Sequence, residues 1–216
     1  MNRRSTLLAA VSLTTVAALS LSACGSGDES DHRDDRIAGA DLSGSGAPSS
    51  SATESVRRPT VKLPSDVKLA FTPEETGDSV KDAILRDNAE FIRALNAAIV
   101  AQNPRLPVLE YYTEGEGAAA AQQWVQQFMD AGWTVTGTTR YFDRAVKVKS
   151  ESSAAIGYCG DESKGYSKVI KTGELKGTQV TKDSYVAYSA QVAKNKQGVW
   201  ELVKIASTRG AAGCQP

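Results

Sequence analysis

The spacing of apolar residues changes once, sharply, along this chain. Over 79–102, Val80, Ile84, Phe91, Leu95 and Ile99 recur at intervals of 4, 7, 4 and 4, which predicts one face of a long amphipathic helix. Asn103-Pro104 and Pro107 end it. A short helical turn is predicted at 108–113, then a second helix over 118–131 carrying Trp124, Val125, Phe128 and Met129, stopped by Gly132. Upstream, 61–71 reads as extended chain broken by Pro64. The first helix starts either at Thr72-Pro73-Glu74-Glu75, with Thr as cap and Pro at the first position, or at Asp78. After Gly132 the period drops to two. Residues 133–141 alternate, 145–148 continue the pattern, and 154–159, 167–172, 184–193 and 199–206 are further strands, with 194–198 as a hairpin loop. Helices followed by strands predict an α+β fold: N-terminal helices packed on one face of a curved antiparallel sheet.

The first thirty residues follow neither period. Arg3-Arg4 precedes fifteen uncharged residues at 7–21, short of the about 20 that a spanning helix needs and right for a signal-peptide core. The run closes on Leu21-Ser22-Ala23-Cys24. This resembles a bacterial lipobox, which implies lipidation of Cys24, a membrane anchor, and residence at the extracytoplasmic face of the cell membrane. Two acyl chains on that cysteine would anchor stably where one is marginal. The expected division is a signal peptide at 1–23, a lipidated tether at 24–58 and one α+β domain at 59–216. The tether has 8 Ser and 5 Gly among the 34 residues 25–58, too little apolar surface to offset ordering entropy.

Composition narrows the chemistry. The chain has one histidine, His32, which falls in the tether, so the domain has no imidazole for a Ser-His-Asp triad, a Cys-His dyad or a His-containing zinc site. No metal ligand set and no cofactor motif is expected. Lys+Arg equals Asp+Glu at 25 each, which argues against a nucleic-acid partner. The balance hides an asymmetry: 62–130 holds 6 basic and 11 acidic residues, and 131–216 holds 13 and 7. The basic strand half is a candidate surface for an anionic envelope polymer or a protein partner. Cys159 and Cys214 remain once Cys24 is assigned. In an exported protein they are expected as a disulfide, since a reactive thiol would need a cationic or imidazole neighbour. Cys159-Gly-Asp161-Glu162-Ser163 is expected as a polar turn, its two carboxylates too few for calcium.

The helix at 83–98, the Tyr111-Tyr112-Thr113 bend, Gly132-Trp133-Thr-Val-Thr-Gly137, the Cys159–Ser163 stretch and Gly198-Val-Trp200 with its late cysteine come in an order that resembles the nuclear transport factor 2-like (cystatin-related cone) fold. More narrowly, it resembles small secreted actinomycete lipoproteins of that fold. The resemblance implies a pocket between the helices and the sheet, where related isomerases use an Asp with Tyr partners. On the first helix, Asp87 falls about 40° from Phe91, inside the apolar stripe, with Asn88 on the stripe's other side. Asp87, Asn88, Tyr111, Tyr112, Tyr158 and Tyr188 are the candidate pocket residues, although the leading reading of Asp87 is a buried, hydrogen-bonded structural group. With no catalytic motif, the expected function is a non-catalytic, membrane-anchored envelope lipoprotein that binds or scaffolds a partner or small ligand. The alternative is a cofactor-independent isomerase or hydratase using a pocket Asp with Tyr partners.

Overall fold

Asp78 decides where the first helix begins. Its side chain accepts hydrogen bonds from the Val80 and Lys81 amides at 3.0 Å each, so α1 (Ser79–Val100) starts there and Thr72-Pro73, joined by a cis peptide, stays outside it. A computed structural model describes residues 57–177 and 179–216. The expected signal peptide, the lipid site at Cys24 and the tether up to residue 56 lie outside the described residues. No helix among those described is long and apolar enough to cross a membrane.

A short strand, β1 (Val67–Phe71), precedes α1. After α1 come α2 (Pro107–Tyr111), with proline in its first turn, and α3 (Gly115–Ala131), which Gly132 closes in the left-handed conformation at φ 67°. The strands follow: β2 (Trp133–Ser150), β3 (Ser153–Val169), the two-residue β4 (Leu175–Lys176), β5 (Tyr185–Lys194) and β6 (Trp200–Arg209). They form one sheet in the order β1-β2-β3-β5-β6, with β4 on β3. The α+β class expected from the sequence is thus the observed one. One pairing departs from the antiparallel expectation: β1 lies parallel to β2, because three helices intervene and return the chain to the same end of the sheet.

The helices cover the sheet through one apolar cluster, in which Ile84, Leu85, Phe91 and Ile92 of α1 join Ile156, Val192 and Leu202 of the strands. α3 comes so near β6 that a Cβ on Gly117 would sit 2.3 Å from the Leu202 carbonyl oxygen.

Two stretches expected as separate strands are continuous. β2 runs through 133–150 with a bulge between Phe142 and Ala145, where Asp143 takes φ 51° and Arg144 becomes buried. β3 runs unbroken through Cys159–Ser163, which corrects the expected polar turn. Glycine and acidic residues are poor strand formers, but β2 and β5 flank this stretch and supply its ladder up to Asp161, and that pairing outweighs local preference. Cys159 and Cys214 form the expected disulfide, with Cα atoms 5.4 Å apart. It ties the turn after β6 to the face of β3 opposite Tyr158.

Candidate functional site

Because side chains alternate along a strand, the continuity of β3 sets Tyr158, Gly160 and Glu162 on one face in a row. That face looks toward α1 and α3 across a cavity of about 450 Å³, within the about 300–1,000 Å³ usual for small-molecule sites. Its walls are mostly apolar: Phe91, Leu95 and Ile99 from α1, Trp124 and Phe128 from α3, Val135 and Ile205 from the sheet. Trp124 is 38% exposed and stands at the rim.

Three tyrosines on three adjacent strands line the sheet side. Tyr158 and Tyr188 sit directly opposite each other across β3 and β5, with ring centroids 5.0 Å apart and stacked. Tyr141 on β2 meets Tyr158 edge-on at 6.0 Å. Gly160 makes room for this row, since a Cβ there would lie 3.0 Å from the Tyr188 ring. The hydroxyls reach different partners: Tyr141 meets Asn96, Tyr158 meets Asn88, and Tyr188 donates to Glu162 Oε1 at 2.9 Å. Glu162 Oε2 accepts from Arg209 Nη1 at 2.8 Å, and the same nitrogen donates to the Asp183 carbonyl at 2.8 Å.

Burial raises all three phenols. Tyr158 is pushed up to about 12, with Asn88 and the nearby Arg144 guanidinium opposing the rise. Tyr141 and Tyr188 are also raised well above the usual phenol value, mainly by desolvation, with the Glu162 carboxylate adding to it. The sign of the consequence is fixed. Groups that stay protonated in the folded state stabilise it fully below the unfolded value near about 10, and that stabilisation is lost as pH rises through the folded values. In an absorbance titration of phenolate, these tyrosines should stay silent past pH of about 11 and then ionise together as the domain unfolds. Normal titration of all seven tyrosines in the folded state would contradict the burial of Tyr141, Tyr158 and Tyr188.

The six sequence candidates divide between two places. Tyr158 and Tyr188 line the cavity, and Asn88 stands behind Tyr158, also accepting from Arg144 Nη2 at 3.3 Å. Asp87, Tyr111 and Tyr112 gather elsewhere, around Arg58. Asp87 is fully buried yet faces away from the cavity: its carboxylate accepts from Arg58 Nε at 2.6 Å, Arg58 Nη2 at 2.9 Å and the Trp200 amide at 3.0 Å. Three donors on one carboxylate are a structural brace, so Asp87 is not the pocket base that the resemblance implied. Tyr112 packs in the core, and Tyr111 lies edge-on to it at 5.0 Å. The sequence reading missed Tyr141, Asn96, Arg209 and, above all, Glu162. Period-two counting carried through Cys159–Ser163 would have found Glu162. Among the described residues, no group of three or more His, Cys, Asp or Glu side chains converges as a metal site.

No family model matches the chain, and no curated protein matches it. Solved structures with a related fold include a ketosteroid isomerase-like protein from Erwinia carotovora atroseptica, at 13% identity and a TM-score of 0.41, over 62% of this chain and 98% of that one. The intermembrane space region of the chloroplast protein ARC6 is similar at 8% identity and 0.41, over 62% and 99%. A candidate scytalone dehydratase from Novosphingobium aromaticivorans is similar at 9% and 0.39, over 61% and 90%. Likeness at this level concerns the fold alone. The expectation that the domain is not an enzyme is corrected on its own chemical ground. The missing imidazole, on which that expectation rested, does not decide the matter: a carboxylate beside a phenol in an apolar cavity is an acid–base set that needs no histidine.

Proposed function

We propose that this chain is an envelope lipoprotein, held at the extracytoplasmic face of the cell membrane by lipid on Cys24, whose domain takes a small, mostly apolar molecule into the cavity between α1, α3 and the sheet. The cationic start, the fifteen-residue apolar run and Leu21-Ser22-Ala23-Cys24 support the anchor. The observation that carries the binding reading is the cavity itself: about 450 Å³, walled by aromatic and aliphatic side chains, with one carboxylate at its edge. Such a wall rewards the transfer of apolar surface out of water. Three helices ahead of a run of antiparallel strands, and a sheet of this topology, fit the cone fold to which the sequence bears a resemblance.

Filling the cavity tests this. Leu95 is part-buried on its wall, and Leu95→Trp should cut the affinity for the neutral, environment-sensitive dye Nile red by about tenfold or more, a loss of about 1.4 kcal/mol in binding. The unfolding midpoint should stay near that of the wild type. Unchanged dye binding would mean that the dye sits elsewhere.

The Glu162–Tyr188 pair favours a second reading, a cofactor-independent isomerase or hydratase that moves a proton on the bound molecule. It keeps the chemistry of the resemblance with Glu162 in place of an Asp. Molecules extracted from the protein as isolated from its membrane, returned to it in D₂O, should then exchange a carbon-bound hydrogen, and Glu162→Gln should stop that exchange. Binding without exchange would leave the cavity as a binding site and end this second reading.

A further inference from the structure

We infer that the cavity selects for charge: it takes an uncharged molecule with one hydroxyl- or amide-type group that both donates and accepts a hydrogen bond, and it discriminates against carboxylates and amines of the same size. This rests on the reading of the cavity as a small-molecule site. Among the described residues that line it, two carry charge, Glu162 and Arg209, and they are bonded to each other at 2.8 Å. The remaining polar lining is neutral: hydroxyls such as Thr139 and Ser207, and the amides of Asn96, Gln123 and Gln127. An ionised ligand would give up hydration and meet a counter-charge already neutralised by its own partner. A neutral ligand gives up much less.

The same pair is shaped to hold a neutral dipolar group. A carboxylate offers about four acceptor positions, and among the described residues Glu162 uses one on each oxygen, for the Tyr188 hydroxyl and for Arg209. Among the described residues, Arg209 donates through Nη1, to Glu162 and to the Asp183 carbonyl, although a guanidinium has five N–H groups arranged as a fork. A hydroxyl or amide lying against the pair can therefore donate to Glu162 and accept from Arg209 without breaking the bond between them. A carboxylate could engage Arg209 only beside the like charge of Glu162, and an ammonium could engage Glu162 only beside Arg209. Arg209 is 49% exposed and Glu162 26%, so water screens the pair and the selection should be about tenfold rather than thousands.

The test uses the full chain carrying Cys24→Ser, purified without detergent, loaded with Nile red, and challenged at neutral pH with three displacing probes of one shape: 2-naphthylmethanol, 2-naphthoate and 2-naphthylmethylammonium. The alcohol should displace the dye at concentrations about tenfold lower than either ion. Glu162→Gln, which leaves the Arg209 charge without its partner, should move the preference toward naphthoate. Arg209→Gln should move it toward the ammonium. If the dye binds but a charged probe displaces it as well as the alcohol does, or the two variants leave the order unchanged, the charge selection is wrong and the cavity reading stands. If the wild-type chain binds no dye, both fall together.

Discussion

Asp87→Ala should lower the unfolding free energy of the domain by about 3–5 kcal/mol, the usual loss when one partner of a buried ion pair is removed. In urea denaturation this would appear as a large drop in the midpoint, since a domain of ordinary stability has about 5–15 kcal/mol in total. Asp87 is fully buried, and its two oxygens hold three donors, two from Arg58 and one from the Trp200 backbone. Truncation takes from the Arg58 guanidinium, whose side chain is 18% exposed, the carboxylate to which it donates twice, and leaves an amide at the start of β6 without an acceptor. Asp87→Asn should cost less, because its remaining carbonyl oxygen can still serve the Trp200 amide. Neither variant should change the affinity of the folded protein for Nile red by more than about twofold, since Asp87 is not part of the cavity wall. Normal stability with lost dye binding in Asp87→Asn would return Asp87 to the functional site.

Asp87 also shows what a helical wheel can and cannot say. The angular count places it inside the apolar stripe of α1, and it is buried. The stripe gives burial but not direction, because α1 is enclosed on more than one side: toward the sheet, where the cavity lies, and toward Arg58 and the start of β6. Which neighbour fills which side follows from contacts more than a hundred residues apart in sequence, such as Asp87 with Trp200, and no local pattern encodes these. Helices and strands with a clean period, such as α1, α3 and the β5–β6 hairpin, were legible because a local period is all they need. Glu162 was hidden for the opposite reason. Its neighbours Gly160, Asp161 and Ser163 are turn-forming residues by composition, and a strand is read from composition until its partners are known. The aromatic row of Tyr141, Tyr158 and Tyr188 likewise exists only once the register of β2, β3 and β5 is fixed. Arg144, buried against the Pro73 and Leu85 carbonyls, depends on a bulge that interrupts an otherwise regular alternation.

Gly117→Ala should be the most damaging change of a single methyl group, at about 3 kcal/mol. Intrinsic propensity points the other way, since alanine is favoured over glycine within a helix by about 1 kcal/mol, so the sign of the result decides between propensity and packing. The methyl would lie 2.3 Å from the Leu202 carbonyl oxygen and 2.7 Å from its carbon. Those are backbone atoms of a paired strand and cannot rotate aside as a side chain could. α3 must therefore back away from β6. The retreat strains two hydrogen bonds that lock the helix entry to the strand, Glu114 N–H to the Leu202 carbonyl and Leu202 N–H to the Tyr112 carbonyl, both 2.9 Å. It also carries Ala121, Trp124 and Phe128 away from the cavity they line, so affinity for Nile red should fall along with stability. Gly213→Ala is the control: nothing lies within 4 Å of a Cβ there, and its effect should stay within about 0.5 kcal/mol. A Gly117→Ala protein as stable as the wild type, with dye affinity unchanged, would mean that α3 and β6 can separate freely, and that the cavity wall is not set by their close approach.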